Sequence, residues 1–351
     1  MRVVLLSGAY APNRWCGAAV AAEQTAAELR AAGHQVVVAT AMPGAPGDLQ
    51  RWQSGGVPVI GVAVTPPGSA ARHPPTVVQA GLTQMLAAVR PDVVHVHSWR
   101  LFGEGAAAAV THAGLPTVLT LTGTDPEPPG GLLTSASCVV APDTEQASRV
   151  STLPADRLRT IRHGVAGPGP ESRRAGRSGP LRLGYVGGID EERGYRVLLA
   201  ALSELGRTDY ELHAVDRAAL RGVRSLRDWD FLIPGLVKLV PGYTAAGRDA
   251  FYNSIDVLLH LPQQPGSTGL GVSEARLRGV WPITTLGPAA AIRDHVDGTS
   301  IAAGSVEALA DAVAWALDHA ATVRAVPPAT GLPTIAAETE ALLEVYASAT
   351  L

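Results

Sequence analysis

Gly266, Gly269, Gly271 and Glu274, within Pro265-Gly266-Ser267-Thr268-Gly269-Leu270-Gly271-Val272-Ser273-Glu274-Ala275, have the types and spacing to hold a phosphate and a polar group beside it. The stretch follows Asp256-Val257-Leu258-Leu259-His260-Leu261, an apolar run that predicts a buried parallel strand, and leads into Glu274-Ala275-Arg276-Leu277-Arg278, which predicts a helix. Glycine lets the backbone come close to an anion, and the free amides and positive dipole end of a helix then face it. Gly266, Ser267, Thr268, Gly269, Leu270 and Gly271 are therefore candidate anion-binding residues. Glu274, about one turn inside the helix, can accept hydrogen bonds from hydroxyls next to the phosphates. A glycine turn ahead of an ordinary helix accounts for this stretch equally well when taken by itself.

Other groups suited to chemistry stand at predicted strand ends. Pro91–Ser98 reads as a strand carrying His97 and Ser98 at its carboxyl end, and Pro116–Leu121 ends in Thr122-Gly123-Thr124-Asp125. Open parallel sheets bind ligands at these ends, so His97, Thr122 and Asp125 are candidates for catalysis, while His95 is expected to pack inside. Arg193 closes the loop Gly187-Gly188-Ile189-Asp190-Glu191-Glu192-Arg193-Gly194 and stands at the start of a predicted helix, Tyr195–Leu205. A cation and a helix N-terminus can clamp a diphosphate together; between Glu191 and Glu192 and solvent, Arg193 also fits a plain surface residue. Tyr10, Asn13, Arg14, Trp15, Trp99 and Arg100 offer stacking faces and polar groups to a small partner. Trp15 and Trp99 fit packing at loop ends equally well.

Alternating elements must position these residues. Val3–Leu6, a helix over Ala18–Ala32 closed by Gly33-His34, and Gln35–Ala39 form an opening βαβ unit. Gly8 and Gly17 are too far apart for a dinucleotide fingerprint, which argues against an NAD enzyme. Strands at Val57–Val64, Val139–Ala141 and Arg159–Ile161 and helices at Thr76–Val89, Glu104–His112 and Thr144–Thr152 continue the first half. Residues 168–180, rich in Gly, Pro and Arg, read as a solvated linker. The rhythm then restarts with strands at Leu181–Val186, Tyr210–Ala214, Val237–Val240, Asp256–Leu261 and Ile283–Thr285, and helices at Gly304–His319 and Pro333–Ala349. The predicted division is 1–167, linker 168–180, 181–332, and a final helix 333–351 that returns to the first domain.

Composition narrows the function. The 351 residues suffice for two domains with full cores. Hydrophobic residues make up 46% and aromatics only 5%, with 38 Gly and 27 Pro, which suits an α/β protein with many short connections. A net charge of -3 gives no general pull toward nucleic acid or anionic membrane, so any site for a charged ligand is local. Cys16 and Cys138 offer neither a disulfide framework nor metal spacing. The short apolar run after Met1-Arg2 is no signal segment or membrane span, and the expectation is a soluble, cytoplasmic protein.

Taken together, these pieces resemble the retaining nucleotide-sugar glycosyltransferases of family 4. The resemblance covers nearly the whole chain: Gly17 with Gly33-His34; Asp92-Val93-Val94-His95-Val96-His97-Ser98; Thr122-Gly123-Thr124-Asp125; Gly187-Gly188-Ile189 with Arg193-Gly194; Asp256-Val257; Gly269 to Glu274-Ala275; Gly279; and Asp297-Gly298. Each is weak alone; their order and spacing carry the likeness. It implies an α/β fold of two doubly wound Rossmann-like domains facing across a cleft, the GT-B type. It further implies that Glu274 contacts the nucleotide ribose, that Gly269, Leu270 and Gly271 meet donor phosphates and sugar, and that Gly17 lets backbone approach phosphate. Arg193 stands where the family has a Lys that neutralises the leaving diphosphate, a role guanidinium preserves. No metal and no cofactor are implied; the donor is a nucleoside diphosphate sugar, with UDP or GDP as the nucleotide, and the reaction proceeds by front-face attack.

Three departures bear on the sugar. The first glutamate of the family's Glu-x7-Glu pair is replaced at Gly266, a family His is Thr122, and a second cation is Gly188. The expectation is kept nucleotide binding with rewritten sugar recognition, for an unusual donor in natural-product or antibiotic biosynthesis. With no long basic amphipathic helix near the N-terminus, a small soluble acceptor is expected, without stable membrane insertion or nucleic-acid binding, and a homodimer is left open. The other readings are an inactive nucleotide-sugar-binding protein, an epimerase of the same fold, and a phosphorylase, for which Lys238, the only lysine, lies in no evident cofactor motif.

Overall fold

The computed structural model describes residues 1–12, 17–64, 74–122, 127–168, 178–187, 191–215, 236–240, 245–263, 269–286 and 291–350. The chain divides into two compact units, Met1–Gly164 with Pro333–Leu351, and Val165–Leu332.

In the first unit, β1 (Arg2–Ser7), α1 (Gly17–Ala31) and β2 (Gln35–Pro43) are followed by β3 (Leu49–Ser54) and β4 (Val57–Val64). Then come α2 (Pro75–Val89), β5 (Val93–Ser98), α3 (Glu104–Ala113), β6 (Thr117–Thr120), α4 (Gly130–Ser135), β7 (Cys138–Ala141), α5 (Thr144–Ser148) and β8 (Leu158–Thr160). The described strands form one sheet in the order β3-β4-β2-β1-β5-β6-β7-β8, parallel except for β3 against β4. All of β5 and nearly all of β1 are buried, because helices cover both faces of a parallel sheet and leave no solvated side for alternation. The exception is β3, Leu-Gln-Arg-Trp-Gln-Ser, a polar antiparallel edge strand that the periodicity did not predict. The helix predicted over Thr144–Thr152 stops at Ser148.

The second unit begins with β9 (Leu181–Tyr185), α6 (Tyr195–Leu205), β10 (Tyr210–Val215), β11 (Leu236–Val240), α7 (Ala245–Ser254) and β12 (Val257–His260). It continues with α8 (Leu270–Leu277), β13 (Trp281–Thr284), β14 (Thr299–Ser300), α9 (Val306–Asp318) and α10 (Ala320–Ala325). Its described strands are all parallel, in the order β11-β10-β9-β12-β13-β14. Leu183, Leu212, Val257, Leu259 and Ile283 pack with Leu198, Leu202, Leu309 and Val313 in its core. Arg278, buried on α8, binds Asp249 at 2.8 Å and reaches the Gly167 carbonyl at 3.3 Å, which ties the segment after Gly164 to this unit.

The last helix, α11 (Ile335–Ala349), returns to the first unit. Thr334 caps it by accepting from the Ala337 amide at 3.1 Å, and Leu342, Val345 and Tyr346 join Val3, Leu5, Ala26 and Leu29 in one cluster. Its start is pinned at the chain's departure point. Glu338 accepts from the Gly164 amide at 2.8 Å and from His163 Nδ1 at 3.0 Å. A Cβ on Gly164 would overlap the Thr334 carbonyl and Ile335 backbone, so only glycine permits this approach. No helix among the described residues is long and apolar enough to cross a membrane.

Candidate functional site

Each sheet reverses its direction of growth once: the first between β1 and β5, the second between β9 and β12. Loops diverge at such a point and leave a crevice beyond the strand ends, where ligands of doubly wound folds sit. In the second unit that crevice brings the sequence-selected residues together. Gly187 and Arg193 follow β9; His260 ends β12, and Gly269, Leu270, Gly271 and Glu274 follow it. The helix predicted to begin near Glu274 begins at Leu270, with Gly269 as its left-handed N-cap at φ 63°, so Gly271 and Glu274 both lie within α8. Glycine takes that φ without a Cβ penalty, and the first amides of α8 are left without intrahelical partners.

Arg193 is held to this crevice by its backbone. Its carbonyl accepts from the Tyr185 hydroxyl at 3.2 Å, and the Gln263 amide donates to the Glu192 carbonyl at 2.9 Å, joining the two loops. Gly194 has φ 75°, and a Cβ there would stand 2.6 Å from the Leu261 carbonyl. The loop closes only around glycine. Arg193 itself is half-buried.

Glu274, 2% exposed, is oriented by two residues of α7 that sequence reasoning missed. Arg248 Nη1 donates to Oε1 at 3.2 Å, and the Tyr252 hydroxyl lies 3.0 Å from Oε2 and 3.1 Å from the Gly271 carbonyl. A carboxylate has about four acceptor positions, and these contacts fix the direction in which they point. The available signal was Arg248 and Tyr252 at i, i+4 on a helix, on one face. His260 Nδ1 lies 3.4 Å from Thr284 Oγ1, and burial first, then the Arg193 charge, lowers its pKa to about 4. Lys238 makes a surface ion pair with Glu211 at 2.8 Å and is 48% exposed.

In the first unit the strand-end residues form a buried network. His95 bonds the Tyr346 hydroxyl through Nδ1 at 2.6 Å and Thr120 Oγ1 through Nε2 at 2.7 Å, which places it inside. His97, 1% exposed, has its ring 5.5 Å from that of His95 and 6.0 Å from that of His163. Burial, reinforced by neighbouring imidazoles, lowers His95 and His97 to about 3, so both are neutral near neutrality. His163 shifts the other way: burial opposes its protonation, but the Glu338 carboxylate outweighs that and holds it above its ordinary value. Thr122 is buried too, and Thr122 Oγ1 and His97 Nδ1 have no hydrogen-bond partner among the described residues.

Two expected stacking residues require correction. Tyr10 and Trp99 are each 1% exposed and belong to the core, because the apolar sheet faces around them need large rings to fill their volume. Trp99 still borders a cavity of about 240 Å3, lined also by Leu121, Glu127, Pro128, Arg149 and Val150. Arg100 is exposed, and Gly17 opens α1 with open space where its Cβ would be. Asn13, Arg14, Trp15, Asp125, Gly188, Gly266, Ser267 and Thr268 lie outside the described residues. Among the described residues there is no cluster of metal-ligating side chains.

Residues 16–164 match the family described as glycosyl transferase 4-like domain, and residues 171–326 match glycosyl transferases group 1. The chain belongs to the two-domain glycosyltransferases. Across 377 aligned positions, covering 92% of this glycosyltransferase and 88% of the relative, it is 26% identical to a glycogen synthase of Mycobacterium tuberculosis. In three dimensions it is similar to a sucrose-phosphate synthase from Thermosynechococcus elongatus, at TM-score 0.75 and 18% identity over 99% of this chain and 98% of that one. HepE from Anabaena, crystallised with UDP and glucose, gives TM-score 0.71 at 16% identity over 99% and 100% of the two chains. These likenesses establish the GT-B fold for the glycosyltransferase: two α/β units, each with a doubly wound parallel sheet.

Proposed function

We propose that this glycosyltransferase moves a sugar from a nucleoside diphosphate donor to a small soluble acceptor, with retention at the anomeric carbon and without a metal or cofactor. The observation that carries the reading is the convergence at the β9/β12 reversal of Arg193, the α8 N-terminus and a pre-oriented Glu274. The donor diphosphate lies against the first amides of α8 and the Arg193 guanidinium, and the ribose hydroxyls bond Glu274. As the sugar–oxygen bond breaks, the electron pair goes to the diphosphate, whose charge the helix dipole and Arg193 stabilise. The acceptor hydroxyl attacks from the same face and passes its proton to the departing phosphate oxygen. UDP is the first nucleotide to try, because HepE is seen with UDP and glucose; GDP is the second.

The acceptor binds the first unit at its β1/β5 reversal, near Arg100, and the Trp99-lined cavity is large enough for part of a ring; Asn13, Arg14 and Trp15 remain acceptor candidates from the sequence alone. Gly266 and Thr122, in place of an acidic and an imidazole group, favour an unusual donor sugar of the kind used in natural-product tailoring. The same two residues also favour a second reading, a nucleotide-sugar-binding protein without turnover. Calorimetry with UDP and GDP, followed by a donor screen, tests both. The expected result is binding that weakens about 10- to 100-fold in Arg193→Gln, the range for a hydrogen bond to a charged group, together with transfer from at least one donor. Binding without turnover of any donor supports the second reading, and binding unaffected by Arg193→Gln refutes the site.

A further inference from the structure

His260 closes β12, the strand beside the reversal, and the mechanism above gives it no task. Its ring packs on the first turn of α8: a Cβ built on Gly271 would stand 3.5 Å from His260 Cδ2 and 4.0 Å from Nε2. The residues that follow it, Leu261 to Gln263, are joined to the loop carrying Arg193. Nδ1 faces Thr284 Oγ1, whereas Nε2 has no hydrogen-bond partner among the described residues. An imidazole therefore stands at the helix N-terminus, next to a guanidinium, with one ring nitrogen that no described residue engages.

We propose that His260 is a proton-accepting contact of the donor diphosphate: when the nucleotide binds, Nε2 takes one proton from solvent and donates it in a hydrogen bond to a phosphate oxygen. This rests on the donor-site reading above. The bond formed is Nε2–H, the proton comes from water or buffer, and no other bond changes. Both ring nitrogens of the imidazolium are then satisfied, because Thr284 Oγ1, which accepts from the Leu286 amide at 3.3 Å, has a second lone pair for Nδ1–H. His260 adds a positive charge only when the diphosphate is present.

The ionisable groups on the elements packed around it are Arg182 and Tyr185 on β9, Glu191, Glu192 and Arg193 in the following loop, Arg248, Asp249 and Tyr252 on α7, Glu274 and Arg276 on α8, and Arg278 at its C-cap; Arg182 is paired with Glu211. Glu274 is paired with Arg248 and Asp249 with Arg278, and the charge that acts on His260 is that of Arg193. Burial and Arg193 keep the imidazole neutral down to about pH 4. A phosphate dianion beside it reverses the sign of the local field.

The test is calorimetry on the full chain with whichever of UDP and GDP binds, from pH 8 to 5.5, in buffers of different ionisation enthalpy. His260→Gln and His260→Asn serve as non-titrating comparisons that cancel the nucleotide's own titration. If the complex restores the ordinary histidine pKa of about 6.5, wild type gains about tenfold in affinity at pH 5.5 over pH 8 relative to either variant, with proton uptake approaching one per nucleotide. Equal proton uptake in wild type and a folded variant overturns the role of His260 and leaves the donor site standing. Failure of both nucleotides to bind at any pH overturns the donor-site reading, and this inference with it.

Discussion

Acid should destabilise the first unit in a defined window, through two histidines buried as neutral rings. His95 and His97 have folded-state pKa values of about 3, against an ordinary value of 6.5. Between those values the unfolded chain binds protons that the folded chain refuses, so stability is fully present above pH 6.5 and is lost as pH falls. Integrated from pH 8 to pH 5, each ring costs about 2 kcal/mol and the pair about 4, out of the 5–15 typical of a whole domain. The Glu338–His163 pair acts in part against this loss. Glu338 is held below its ordinary 4.5, so its contribution falls away only at lower pH, whereas His163 is held above its ordinary 6.5, so the stability it contributes grows as pH falls from its folded value to 6.5 and offsets part of what His95 and His97 lose. Denaturant unfolding at pH 8, 6.5 and 5, followed by a probe in the first unit, measures the loss. His97→Gln removes one titrating ring and should make the pH 8-to-5 change about 2 kcal/mol less destabilising than in wild type, whatever it does to stability at pH 8. An equal pH 8-to-5 change in wild type and variant refutes the claim that the His97 ring is buried and neutral.

Two further substitutions probe the second unit. Glu274→Gln leaves Arg248 as a buried charge without its carboxylate, and unfolding should become easier by about 3 kcal/mol; adding Arg248→Met should restore much of that, since removing both charges removes the desolvation cost. A denaturant double-mutant cycle reads the coupling, and simple additivity would show that the two do not act as a pair. Gly194→Ala places a Cβ against the Leu261 carbonyl at positive φ, so a loss of about 1–3 kcal/mol is expected in thermal or denaturant unfolding, with weakened nucleotide binding because Arg193 shifts with its loop.

Much of the fold was readable locally. A strand buried on both faces leaves a continuous apolar run, as at Val3–Leu6 and Asp256–Leu261, and a helix leaves its period, so the alternation and the restart after residue 180 could be seen residue by residue. The edge strand β3 could not, since polar residues at an open sheet edge leave no apolar mark. Among candidate residues, Gly269 was legible as the entry to a helix, because the turn into α8 takes a left-handed φ that glycine accepts without cost. Tyr10 turned out to fill the core and Trp99, which packing explained equally well, is buried too, because an aromatic ring has the same letter whether it lines a cleft or fills a core.

By itself, then, the amino-acid order determined two doubly wound halves and the glycine that opens α8. Only the tertiary structure decided which distant groups they meet: Arg248 and Tyr252 on Glu274, Glu338 across 175 positions on His163, and His260 against Gly271. The physical reason is range. Backbone propensity and apolar period act over a few residues, whereas desolvation and charge depend on whatever the folded chain packs alongside, and those neighbours come from anywhere in the sequence.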